Sequence, residues 1–89
     1  MNETKRWTVD LLIGEADGHT YAEATLHPEV GEDITGTGEA RLHPDDVDVP
    51  EIGDELAVAR ALNDLGYRLM VTAAGDIQQV TNRDVTLTY

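Results

Sequence analysis

The chain has 89 residues, 18 of them acidic against 6 basic, for a net charge of −12, with no Cys and no Phe. That length suits one domain with a small aliphatic core, and the absence of Cys excludes a disulfide framework and thiolate chemistry. The charge has the wrong sign for a phosphate backbone, which draws its protein affinity from Lys and Arg, so unaided nucleic-acid binding is disfavoured.

Met1 is followed by NETKRW rather than by an apolar run, so no signal peptide is expected. No stretch is long and apolar enough to span a membrane, and the cytoplasm is the expected location. Lys5 to Ile13, KRWTVDLLI, reads as a strand, with Trp7, Val9, Leu11 and Ile13 alternating with Thr8, Asp10 and Leu12. Gly14 to Gly18 is a turn marked by Asp17-Gly18. His19 to Leu26 is a second strand, with Ala22, Ala24 and Leu26 on one face. Residues 27–33 form a loop.

Ile34 to Leu42 is a third strand whose inner face is Ile34, Gly36, Gly38, Ala40 and Leu42. Glycine ordinarily weakens a strand. On a helix-facing side it lets the helix approach closely, which is the role expected of Gly36 and Gly38. Residues 43–49 are an acidic connection.

Pro50 to Ala74 is the one long amphipathic helix. On a helical wheel Val58, Leu62, Leu65 and Leu69 form its core face. Asp54 is the expected N-cap, with Glu55 favourably placed for the helix dipole. Gly75 is the expected stop. Gly66 lies beside the apolar stripe and is expected to be a close-approach point between helix and sheet. Residues 76–82 suggest a short second helix with Ile77 and Val80 on one side. In the tail, Val85, Leu87 and Tyr89 alternate with Thr86 and Thr88. This pattern suits a strand added to the chain's own sheet edge or to a partner's. The expected architecture is therefore α+β in the order β-β-β-α, one domain over residues 1–89, with a short second helix and an extended tail.

Catalytic and ligand motifs are sparse. There is no P-loop, Rossmann fingerprint or paired metal-ligand motif. The Gly-x-Gly at 36 and 38 lies within a strand pattern, not at a strand-to-helix turn. An antiparallel hairpin brings His19 towards His43, which Asp45 and Asp46 follow. A His/Asp metal cluster is conceivable there, but the spacing is not diagnostic and surface histidines account for it. Asp10, Glu23 and Glu39 share the outer sheet face, as expected of a solvated surface. The chain has neither Ser nor Cys as a nucleophile. No catalytic, cofactor or metal residues are assigned, and no enzyme is expected.

The segments WTVDLLI, TGTGEARLHPDD, VPEIGDELAVARALNDLGYRL and DIQQVT occur in order between Trp7 and Thr81. They resemble a family of small actinobacterial proteins catalogued as a domain of unknown function with a double-stranded-RNA-binding-domain-like fold. EIGDELAVARAL is the most specific part. The resemblance implies a three-stranded antiparallel sheet crossed by the helix, in a homodimer. One mycobacterial relative belongs to a dormancy regulon and has a dimer similar to ribosome hibernation promoting factors. This sequence is similar to it even where Thr81-Asn82 leads to Leu-Thr-Tyr. A non-enzymatic stress or dormancy protein associating with ribosomes is what the resemblance implies. An acidic protein-interaction module that binds no RNA is the alternative.

Overall fold

A computed structural model describes residues 3–43 and 49–81. Three strands, β1 (Thr8–Ala16), β2 (His19–His27) and β3 (Ile34–Arg41), precede one helix, α1 (Pro50–Thr81). The strands form an antiparallel sheet in the order β1-β2-β3. Pairings Ala16↔His19 and Thr8↔His27 fix the first hairpin, and Leu26↔Ile34 and His19↔Arg41 the second. The chain is α+β.

The first hairpin turns on two residues. Asp17 and Gly18 both have positive φ, 51° and 72°, the pairing that matches the right-handed twist of the flanking strands. The turn is thus tighter than the sequence pattern suggests. Gly14 lies within β1 instead, and the strand begins at Thr8 with Trp7 just before it.

The helix sits on β3 and β2 and barely touches β1. Its buried residues are Ala57, Ala61 and Leu65, packed on Ala22, Ala24, Leu26 and Ala40. The contact is close because both sides are small. A Cβ on Gly36 would come within 3.0 Å of backbone atoms of Ala61 and Leu65, and one on Gly38 would meet the backbone of Ala57, Arg60 and Ala61 in the same way. Ridges of larger side chains would hold two such layers farther apart.

Several sequence expectations are corrected here. Pro50 opens the helix, so Asp54 lies one turn inside rather than at the cap. Proline suits that first position, where its missing N–H would have no helical partner. Gly75 does not stop the helix. It keeps a negative φ, and residues 76–81 continue α1 with no separate second helix. Glycine ends a helix by adopting the left-handed conformation; without that turn it only costs about 1 kcal/mol of helix propensity. Leu62, expected in the core, is 43% exposed. A Cβ on Gly66 would meet nothing within 4 Å, so this glycine is not a contact point between helix and sheet.

Candidate interaction surface

The two flanks of α1 meet different surroundings. Relative to the buried line Ala57–Ala61–Leu65, the 3.6-residue repeat places Arg60 and Asp64 on one flank and Val58, Leu62 and Leu69 on the other. The first flank is tied to the free edge of β3. The Thr37 backbone N–H donates to Asp64 Oδ2 at 2.9 Å, and the Arg60 guanidinium donates to the Glu39 carbonyl at 2.7 Å. Arg68 Nε donates to the same Asp64 oxygen at 3.0 Å. The Thr37 hydrogen bond first, then Arg68, holds the Asp64 carboxyl below its ordinary pKa. Polar backbone groups at an exposed strand edge invite pairing with another chain, and here the helix occupies them.

The second flank leans towards β1. Val9, Leu11 and Ile13 pair with Leu26, Ala24 and Ala22. Directly opposed residues share a sheet face, so all three lie on the helix side. Their β2 partners are buried beneath α1, whereas they are 42%, 47% and 43% exposed. Trp7 is exposed beside them, and Leu62 overlooks them from the helix. Val58 and Leu69 on the same flank are only partly buried against the core. The result is an apolar trough with β1 as its floor and the helix flank as one wall. Scattered exposed apolar residues are ordinary, but a contiguous apolar face marks an interaction surface.

The helix also outruns the sheet. Gly38 lies under Ala57–Ala61 and Gly36 under Ala61–Leu65, so α1 runs antiparallel to β3, and the same spacing brings Leu69 about level with Ile34, near the sheet end. Twelve further residues, Met70–Thr81, project beyond it by about 18 Å. The molecule is accordingly elongated, 52 × 30 × 22 Å. Ile77 and Val80 on this projection are exposed.

The outer sheet face is polar. Asp10, Glu23 and Glu39 do share it, on three different strands. His27 Nε2 lies 2.8 Å from Asp10 Oδ2, and its Nδ1 lies 2.8 Å from Asp33 Oδ2. Desolvation lowers the imidazole pKa, but the two carboxylate hydrogen bonds and their charges outweigh it and raise it above the ordinary 6.5. His19 Nε2 lies 3.3 Å from Glu39 Oε2 and its ring stacks near Tyr21, with centroids 4.1 Å apart. The two nitrogens of His27 face different carboxylates, so their donors point apart. Among the described residues no three His, Asp or Glu side chains gather as a metal cluster. Asp45 and Asp46, considered with His19 and His43, lie outside the described residues, as do Val85, Leu87 and Tyr89. A cleft of about 440 Å³ at the N-terminal end of α1 is lined mainly by apolar groups such as Leu42, Ile52 and Leu56, with Glu15, Thr20 and Arg41 at its polar positions. Among the described residues no helix is long and apolar enough to cross a membrane.

Periodicity missed the ties that Arg60 and Asp64 make to the β3 edge. Their place opposite the leucines marks them as solvent-facing, and nothing in the linear sequence points them to a strand edge. The i, i+4 pairing of Asp64 with Arg68 was the only local signal.

Comparison with known proteins fixes the lineage. The sequence profile of the Rv2632c-like family matches residues 5–86. The chain belongs to the Rv2632c-like family. It is 49% identical over 85 residues to the uncharacterized protein Mb1767 of Mycobacterium bovis, covering 96% of this chain and 89% of the relative. It is 45% identical over 82 residues to the uncharacterized protein Rv2632c of Mycobacterium tuberculosis, covering 92% and 87%. The crystal structure of Rv2632c superposes with a TM-score of 0.83 at 43% identity, covering 92% of this chain and 96% of that one. The sheet and helix described above are therefore a family fold, and the matched relatives are themselves uncharacterized.

Proposed function

We propose that this chain is a non-enzymatic assembly protein that works as a homodimer, and that the dimer serves stress or dormancy by associating with ribosomes or another translation component. The observation that carries the assembly reading is the trough of Val9, Leu11, Ile13, Val58 and Leu62, an apolar half-layer that the single chain leaves open. Burying apolar surface yields roughly 25 cal/mol per Å², and a chain of 89 residues has little core to spare. The dimer thus uses the helix-side face of the sheet. The translation role, like the double-stranded-RNA-binding-domain-like and hibernation-factor-like likeness, rests on the family resemblance of the sequence.

The net charge of −12 directs any ribosomal contact towards basic protein rather than towards RNA phosphates. It also favours a second reading, an acidic protein-interaction module without RNA binding, for which Asp10, Glu23 and Glu39 on the outer sheet face offer a surface. Sedimentation of a stationary-phase lysate through a sucrose gradient separates the two. Co-migration with ribosomal particles, abolished by raised salt, is the expected result. Retention at the top as a free dimer, with capture of basic proteins in every growth phase, would replace the translation role with the second reading.

A further inference from the structure

The cleft at the N-terminal end of α1 takes its shape from one rung of the sheet. Glu15, Thr20 and Ala40 pair across β1, β2 and β3, so their side chains share the helix side. Gly53 of α1 lies over Thr20. Ile52 and Leu56 on the helix and Leu42 after β3 form apolar walls that stay 53%, 44% and 37% exposed. The space between them is about 440 Å³, within the roughly 300–1,000 Å³ usual for small-molecule sites.

Two polar groups in this cleft have no use within the described chain. Thr20 is 5% exposed, yet no hydrogen bond ties its side chain among the described residues. A Cβ on Gly53 would stand 2.9 Å from its Oγ1, so the hydroxyl faces the helix where glycine leaves room. None of the described buried side-chain polar atoms is sealed off without a partner, so the Thr20 hydroxyl opens to the cleft that it lines. An unpaired hydroxyl so nearly buried costs free energy until something bonds it. Glu15 lines the same cleft and makes no ion pair among the described residues. Arg41 also borders the cleft, but the register puts it with Ala16 and His19 on the outer face. The charge on the helix side of this rung is therefore negative. Glu51, Asp54 and Glu55 in the first turns of α1 reinforce it, and residues 42–59 contain no Lys or Arg. These acids also offset the positive end of the helix dipole.

We propose that this cleft binds a small organic cation, a primary ammonium carried on an apolar body. The ammonium donates to the Glu15 carboxylate and to Thr20 Oγ1, and the apolar body packs against Leu42, Ile52 and Leu56. Directly opposed residues on neighbouring strands stand about 5 Å apart at Cβ, so one ammonium reaches both. Its three donors and lack of an acceptor suit a carboxylate beside a hydroxyl oxygen. An anion would meet Glu15 with no facing cation, and a hydrocarbon would leave Thr20 unpaired. A net charge of −12 also raises the local concentration of cations. This site does not depend on the assembly reading above.

The test is titration of the full chain with n-hexylammonium, followed by backbone amide chemical shifts, with hexanoate as the charge-reversed control of equal chain length. Hexylammonium should saturate with a dissociation constant of about 1 mM or below. Its shifts should concentrate at Glu15, Gly18, Thr20, Leu42 and Gly53, and hexanoate should leave these amides in place. Glu15→Gln, at an exposed position, should weaken hexylammonium about tenfold or more. Thr20→Val should weaken it several-fold and, without ligand, raise the melting temperature, because the unpaired hydroxyl is gone. Glu15→Gln keeps the experiment readable if Thr20→Val fails to fold. Binding unchanged in Glu15→Gln, shifts centred outside the cleft, or saturation by hexanoate overturns the proposal. So does a lack of saturable hexylammonium binding up to about 10 mM.

Discussion

The two edges of this sheet are built from similar strands and end in opposite states. At β3, glycine and alanine let the helix settle on the backbone, and Arg60 and Asp64 reach over to bond the outer edge of the strand. At β1, Val9, Leu11 and Ile13 stand half exposed with no helix above them. The difference lies in where small residues fall. A helix approaches whichever strand offers the least side chain, and β3 has Gly36, Gly38 and Ala40 on its inner face where β1 has branched aliphatics. Moving the helix towards β3 leaves β1 uncovered. An asymmetric monomer is the consequence, and it is closed on one side and unfinished on the other.

The largest way to break this contrast is on the closed side. Gly38→Val would drive two methyl groups into the backbone at Ala57–Ala61. A loss of about 3 kcal/mol or more is expected, read as a lowered urea midpoint. Gly66→Ala is the control. Nothing lies within 4 Å of its added Cβ in the single chain, so in a dilute monomer it should stabilise by up to about 1 kcal/mol through helix propensity.

A second comparison pits two leucines against each other. Leu65 is 4% exposed and Leu62 is 43% exposed. Leu65→Ala should cost roughly 2–4 kcal/mol of folding stability at any protein concentration. Leu62→Asp should leave the monomer folded and raise the dimer dissociation constant, so its effect on the melting temperature should depend on concentration. Equal, concentration-independent losses would show that the trough is not an interface.

The smallest effects come from pH. The raised pKa of His27 means that its ion pairs with Asp10 and Asp33 contribute fully below the ordinary 6.5 and are lost as pH rises through the folded value. The lowered pKa of Asp64 works in the other direction. Its contribution is present above the ordinary 3.8 and is lost as pH falls through the folded value. Melting temperatures of the wild type and of His27→Gln should therefore differ most below pH 6.5 and converge in alkali. Asp64→Asn should differ from the wild type near neutrality and converge with it in acid. A His27→Gln difference that grows with pH would contradict the imidazolium bridge.

How much was legible beforehand follows from the range of the interactions. The alternation at Ala22, Ala24 and Leu26 and the Asp17-Gly18 turn are local, and they placed β2 and the first hairpin. The repeat at Val58, Leu62, Leu65 and Leu69 found the helix but turned it by part of a circle. Hydropathy weighs leucine over alanine, whereas the sheet selected the face of Ala57 and Ala61 for close contact. Gly75 misled for a related reason, since a glycine permits a helix stop without enforcing one.

The sequence by itself determined an acidic α+β chain with three strands ahead of one long amphipathic helix, because these depend on composition and short-range pattern, and its resemblance to a family pointed to the lineage. Only the tertiary structure decided which flank of the helix is buried, which sheet edge is closed and how far the helix projects. Those depend on backbone-to-backbone distance across the layer, and Gly36 and Gly38 show that distance is set by the side chains that are missing.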